Sequence, residues 1–297
     1  MRKLSLLFMI TAVIFVVAAC GTDDSDSGSG SSEEKSVLET LKENGKVTVG
    51  FANEKPYAYE EDGVLQGAAV EIAKEVLQNL GIEEVEGHLS EFGNLIPGLN
   101  AGKFDLVTAG MAITPDRCEN VAFGEPEIQY GEGLIVASDN PMDLHSYADI
   151  AKNPDIKVAV MSGATEINFL ITEGVDDSQI MRVPDIPASF SAVESGRAHA
   201  TTGTEMTIKM ALESANADKL EFVNDFIQPE IEGNPSFGAA AFRIDNEEFR
   251  EAYNAELAKL KEEGKIAELI EPSGFNAEMN VVDVDLTTAS ICSGENY

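Results

Sequence analysis

The chain has 297 residues, 43% of them apolar, and 53 acidic against 20 basic side chains give it a formal net charge of −33. So large an acidic excess repels phosphate backbones and anionic lipid, which excludes nucleic-acid binding and any charge-driven grip on a membrane surface. The length exceeds what one small core uses, so two lobes are expected.

Arg2 and Lys3 precede an apolar run broken only by Thr11, and the run ends in Val17-Ala18-Ala19-Cys20. A basic start, a short apolar stretch and small residues before a cut site describe a secretory leader over residues 1–19. Loss of Arg2 and Lys3 with it takes the net charge from −33 to −35. Residues 21–35 are rich in Ser, Gly and Asp, a composition that spans roughly 20 Å as a flexible tether.

Next come a short amphipathic helix at 37–43 and a strand at 46–51 (KVTVGF). Helical spacing of Val70, Ile72, Ala73, Val76, Leu77 and Leu80 predicts a helix over 67–80, ended by Gly81. A strand at 85–89, a helix at 95–100 and a doubly buried strand at 104–109 (FDLVTA) follow. Residues 133–137 (GLIVA) read as a strand leading out of the first lobe, broken by Asp139-Asn140-Pro141. The alternation then restarts, with strands at 157–161, 180–183 and 198–202 and helices at 165–173, 186–195 and 207–217. A strand at 237–242 (FGAAAF) crosses back, and a helix over 249–264 carries a stripe of Phe249, Tyr253, Leu257 and Leu260.

Strand–helix alternation predicts an α/β fold of two open, mostly parallel sheets with helices on both faces. Lobe 1 is expected over 36–136 plus 238–297, and lobe 2 is inserted at 141–232. The two crossings are expected near 136–141 and 232–238. Clefts between such lobes, beside strand carboxyl ends, are where α/β proteins bind ligands.

Three segments supply chemistry for that cleft: 51–59 (FANEKPYAY), 91–99 (EFGNLIPGL) and 109–118 (AGMAITPDRC). They offer one carboxylate, Glu54, two aromatic faces, Tyr57 and Phe92, and one guanidinium, Arg117. A guanidinium forks onto a carboxylate, while aromatic faces and an acid hold a cation. The set suits a small zwitterion. Gly110 and Ala112 belong to the same wall, whereas Tyr59, Tyr130 and Phe237 read as packing. His88, His145 and His199 are scattered without metal spacing, so neither metal nor cofactor is expected. Outside the cytoplasm two leftover Cys often pair, so a Cys118–Cys292 disulfide that pins the tail to the first lobe is expected, the alternative being two unpaired small apolar residues.

These residues resemble a family. GFANEKPY, EFGNLIPGLNAGKFDLVTAGMAITPDR and, later, NAELAKLKEEGKIAELIE are similar to the family-3 solute-binding proteins of ABC importers. Within that family FANEKPYAY, TPDRC, LHSYADIAKNP and IEPSGF look like the receptors for ectoine and hydroxyectoine. The resemblance implies a type II two-lobed fold, a carboxylate held by Arg117, and a cyclic amidinium enclosed by Tyr57 and Phe92 while Glu54 accepts its N–H donors. It places Gly163 and Thr165 of the segment Ser162-Gly163-Ala164-Thr165 against the ligand carboxylate. It also implies two departures. Thr204 stands eight residues after Gly196, where amino-acid receptors carry an Asp, and Ala112 stands where ectoine receptors carry an aromatic, a wall that Tyr130 or Phe237 would have to supply. Cys20 resembles a lipidated Cys, which implies anchoring to the outer face of the cytoplasmic membrane. The implied partners are the ligand, a permease and its ATPase; the receptor itself is expected to be a monomer without enzymatic activity.

Overall fold

The computed structural model describes residues 35–215 and 218–295. The expected leader, the lipidated Cys20 and nearly all of the tether lie outside them, as does Ala217 at the end of the sixth expected helix. Among the described residues no helix is long and apolar enough to cross a membrane.

Two sheets organise the molecule. The first runs in the order Glu84–Leu89, Lys46–Phe51, Leu106–Ala112, Ser236–Phe242 and Ala122–Phe123, with Ile128–Tyr130 also paired to Ser236–Phe242. The second runs Ile180–Val183, Val158–Met161, Ala200–Thr204, Glu132–Ala137 and Leu220–Phe222. In each sheet three neighbouring strands are parallel, and the strand by which the chain enters from the other sheet, Ser236–Phe242 in the first and Glu132–Ala137 in the second, runs antiparallel to them. A chain that leaves a sheet and returns must reverse direction there, so each sheet is mixed rather than mostly parallel.

The first crossing corrects the sequence expectation. Strand Glu132–Ala137 pairs with Ala200–Thr204 and belongs to the second sheet, so the chain changes sheet between Tyr130 and Glu132, not near 136–141. Its buried residues Leu134 and Val136 pack into the core of the second lobe instead of leading out of the first. Asp139 and Asn140 form a turn inside that lobe, with φ of 68° and 38°. The return falls between Phe222 and Ser236.

Packing follows the apolar stripes. In helix Glu247–Glu262, Phe249, Tyr253, Leu257 and Leu260 are buried against helix Ala68–Asn79 and the first sheet. Each such burial stabilises by about 1.5–3 kcal/mol. Ser36 caps helix Val37–Asn44 with a full capping box. Short elements without strong periodicity went unpredicted: the hairpin of Tyr59–Glu61 and Val64–Gln66, and helices Tyr147–Lys152 and Lys265–Ile270. At the far end the sulfurs of Cys118 and Cys292 are bonded, which ties the C-terminal helix Thr288–Cys292 to the turn that carries Arg117.

Candidate functional site

The turn after the first strand presents two of the site residues. Asn53 takes a positive φ of 53°, and the Glu54 amide donates to Ala58 O at 2.9 Å. The carbonyls of Pro56 and Tyr57 then accept the first free N–H groups of helix Ala68–Asn79, from Ala68 at 2.9 Å and Ala69 at 3.0 Å. Gly67 is needed at that junction: its φ is 123°, and a Cβ there would lie 2.5 Å from Tyr57 O. The turn is therefore clamped, and Glu54 and Tyr57 face the gap between the sheets.

Arg117 is positioned as firmly. Thr114 accepts the Arg117 amide at 3.2 Å and Pro115 opens the short helix Pro115–Cys118, so the turn is capped and pre-set. The guanidinium donates from Nη1 to Ala112 O at 2.7 Å and from Nη2 to Gly163 O at 2.8 Å. It also lies over the Phe92 ring, 5.5 Å from the centroid.

Together these groups enclose a cavity of about 30 Å³, room for two or three water-sized centres. Glu54, Tyr57, Phe92, Gly110, Ala112, Arg117, Thr165 and Thr204 all line it. Gly163 joins through its carbonyl on Arg117. Gly110, at φ +59°, lets the Tyr57 ring sit where a Cβ would be 2.3 Å from Cδ1. Thr165 precedes helix Glu166–Thr172 but makes no side-chain cap; its hydroxyl points toward Glu166.

Of the two aromatics that could replace the missing wall, Tyr130 lines the cavity, and the second lobe adds residues that sequence reasoning missed. Tyr130, read as packing, is both core and wall: its hydroxyl donates to Gly110 O at 2.6 Å and its ring stacks edge-on to Tyr57 at 5.1 Å. Its ring borders Gly238, the strand partner of Ala112. Phe237 does not line the cavity. Met161, Ala164 and Glu166 come from the second lobe. Met161 ends a strand and Glu166 opens a helix on either side of the segment 162–165, and neither place by itself marks a cavity residue.

Burial dominates the electrostatics. It pushes Glu54 up to about 7; the Thr207 hydroxyl bond and the Arg117 charge pull it down, while the Glu166 charge adds to the rise. Burial likewise raises the Tyr57 and Tyr130 phenols well above their ordinary range, so both stay neutral donors.

Hydrogen bonds from cavity residues join the lobes. One is Arg117 to Gly163; another path runs from Thr204 to Thr207 to Glu54 through two hydroxyl bonds of 2.9 Å. Beside them the backbones meet glycine to glycine, for a Cβ on Gly163 would lie 2.8 Å from Gly93 Cα, and one on Gly93 would lie 3.1 Å from Ser162 O. Substituting Gly93→Val should hold the lobes apart. Solute affinity, read by calorimetric titration, is expected to fall at least about tenfold with little change in melting temperature, because closure alone is taxed.

Residues 47–273 match the bacterial extracellular solute-binding proteins, family 3. The "Probable amino-acid ABC transporter periplasmic-binding protein y4tE" of Sinorhizobium fredii is 35% identical over 262 residues, covering 86% of each chain. The arginine-binding extracellular protein ArtP of Bacillus subtilis is 25% identical over 270 residues, 91% of this chain and 96% of its own. Among solved structures, EhuB in complex with hydroxyectoine superposes with a TM-score of 0.78 at 36% identity, over 86% of this chain and 97% of that one.

Proposed function

The chain belongs to the bacterial extracellular solute-binding proteins, family 3, and from that premise we propose that it captures ectoine or hydroxyectoine between its lobes and delivers the solute to the permease and ATPase of an ABC importer. In this reading a leader over 1–19 exports the chain, a lipid on Cys20 holds it at the outer face of the cytoplasmic membrane, and it works as a monomer. It carries out no reaction. The lobes are 36–130 plus 236–295 and 132–222, joined by the segments that change sheet.

One observation carries the reading: Glu54 and Arg117 line one inter-lobe cavity together with the rings of Tyr57, Phe92 and Tyr130. A carboxylate entering there meets the Arg117 fork. A delocalised cation meets aromatic faces and an acid. Because the guest touches both lobes, it binds the closed arrangement better than an open one and shifts the population toward it. The likeness to the hydroxyectoine complex supports this choice of guest.

A second reading, a polar or modified amino acid, is favoured by Ala112, whose small side chain leaves the cage to Tyr130 alone on that side, and by the amino-acid relatives. Calorimetric titration with ectoine, hydroxyectoine, glycine betaine and a panel of amino acids decides. One tight class among the ectoines supports the first reading; heat from arginine or glutamine alone selects the second.

Tyr130→Leu tests the cage. Loss of one cation–π wall, worth about 1–2 kcal/mol, should weaken the ectoines by about 5–30-fold while the far-ultraviolet dichroism stays native. Unchanged affinity would remove Tyr130 from the site.

A further inference from the structure

We propose that Glu132 and Glu166 hold one proton between them at the back of the cavity, and that the N–H-bearing cation of a captured solute takes that proton's place, so that each capture releases one proton to the medium. What the solute does here rests on the capture reading; the shared proton does not.

Glu166 lines the cavity at 3% exposure. Glu132, at 1% exposure, sits in register with the lining residue Thr204, so it backs the same wall. Among the described residues, neither Glu132 carboxyl oxygen accepts a hydrogen bond from any N–H or O–H, and the group they face is the Glu166 carboxyl. The Glu132 backbone cannot swing away, because Gln228 holds it on both sides: Glu132 N donates to Oε1 at 2.9 Å, and Nε2 donates to Glu132 O at 2.6 Å.

Two ionised carboxyls in contact and out of water are not tenable, whereas one proton turns Glu132 into an O–H donor and Glu166 into its acceptor. Such a pair titrates as a unit. Burial first, then the Glu166 charge, drive Glu132 well above the usual carboxylate range. The other groups facing the pair are Glu54, the Arg117 guanidinium and the neutral phenols of Tyr57, Tyr130 and Tyr147. Three carboxyls thus share a cavity with one guanidinium. An amidinium, guanidinium or primary ammonium can donate to Glu54 and Glu166 together and neutralise what the departing proton leaves. A quaternary ammonium has no N–H with which to replace that hydrogen bond, so the pair also selects against glycine betaine.

Glu132→Gln keeps an N–H donor to Glu166 but has no proton to release. In the ligand-free protein at about pH 8, where groups near 7 are largely ionised, infrared spectroscopy should show the C=O band of a protonated buried carboxyl, and the variant should lose it. Absence of the band, or its persistence in the variant, would overturn the shared proton. Titration with hydroxyectoine and L-arginine in two buffers of different ionisation heat should then give about one proton released per solute in the wild type and close to none in the variant. Equal release in both proteins would overturn the exchange. Binding of neither probe would sink the capture reading, and the exchange with it, while an intact and variant-sensitive band would leave the shared proton standing.

Discussion

Replacing Arg117 by alanine is expected to weaken solute binding by at least about a hundredfold, the largest effect of any single change in this protein. The guest's carboxylate would lie in a cavity already lined by Glu54 and Glu166, both buried, with its cationic partner removed. Truncating one member of a buried, hydrogen-bonded charge pair costs about 2–5 kcal/mol, mostly because the other member stays buried and unpaired. The same change deletes the Nη2 bond to Gly163, one of the contacts that join the lobes, so closure weakens as well. Arg117→Lys should recover part of the affinity as a point charge without the fork. Titration calorimetry with the tightest solute of the panel measures both. Affinity within threefold of the wild type would remove Arg117 from the site.

Loss of the Cys118–Cys292 bond has the largest expected effect on stability. The bond closes a loop between residues 174 apart in sequence. For a loop of that length chain entropy assigns about 5 kcal/mol, and native bonds typically deliver 2–4. A Cys118→Ala, Cys292→Ala double variant should therefore melt about 5–15 °C lower. Single variants are a poorer test, since they leave a free thiol. Because Cys118 follows Arg117 directly, the double variant should also bind solute a few-fold more weakly, the turn having lost its tie to the C-terminal helix. A melting temperature within 2 °C of the wild type would show that packing of Ile291 and its neighbours holds that end without the bond.

Much of this was legible in the chain because the physics there is local. The stripe of Phe249, Tyr253, Leu257 and Leu260 follows the helical repeat, and all four are buried where the repeat placed them. Glu54 and Arg117 stand just beyond strands whose pattern is plain, and strand ends are where such a fold opens its cleft. Other features depend on which partner a segment meets. The run GLIVA announces a strand but not a sheet; only its pairing with Ala200–Thr204 decides that it belongs to the second lobe. Glu132 and Glu166 are lost among 53 acids, since a buried carboxyl and a solvated one look alike in sequence. Which aromatic would close the wall was hidden for a different reason. The place of Tyr130 beside the cavity depends on Gly238, distant in the chain, where a Cβ would lie 3.1 Å from the Tyr130 ring.

Glu127 shows the same limit away from the cavity. It is 1% exposed, burial pushes it up to about 7, and Tyr253 donates to it at 2.8 Å. A folded-state value above the unfolded one means that its contribution to stability is complete below the unfolded pKa and is lost as pH rises through about 7. Glu54 has the same sign, so both groups favour the folded chain in mild acid, whereas holding a cation at Glu54 requires the ionised form.

The most direct measurement is a crystal structure with the tightest solute of the panel bound. It should place the solute's carboxylate on the Arg117 guanidinium and its cationic nitrogens on Glu54, with the rings of Tyr57 and Phe92 against the cation. A solute seated outside the inter-lobe cavity, or turned so that its cation faces Arg117, would contradict the account.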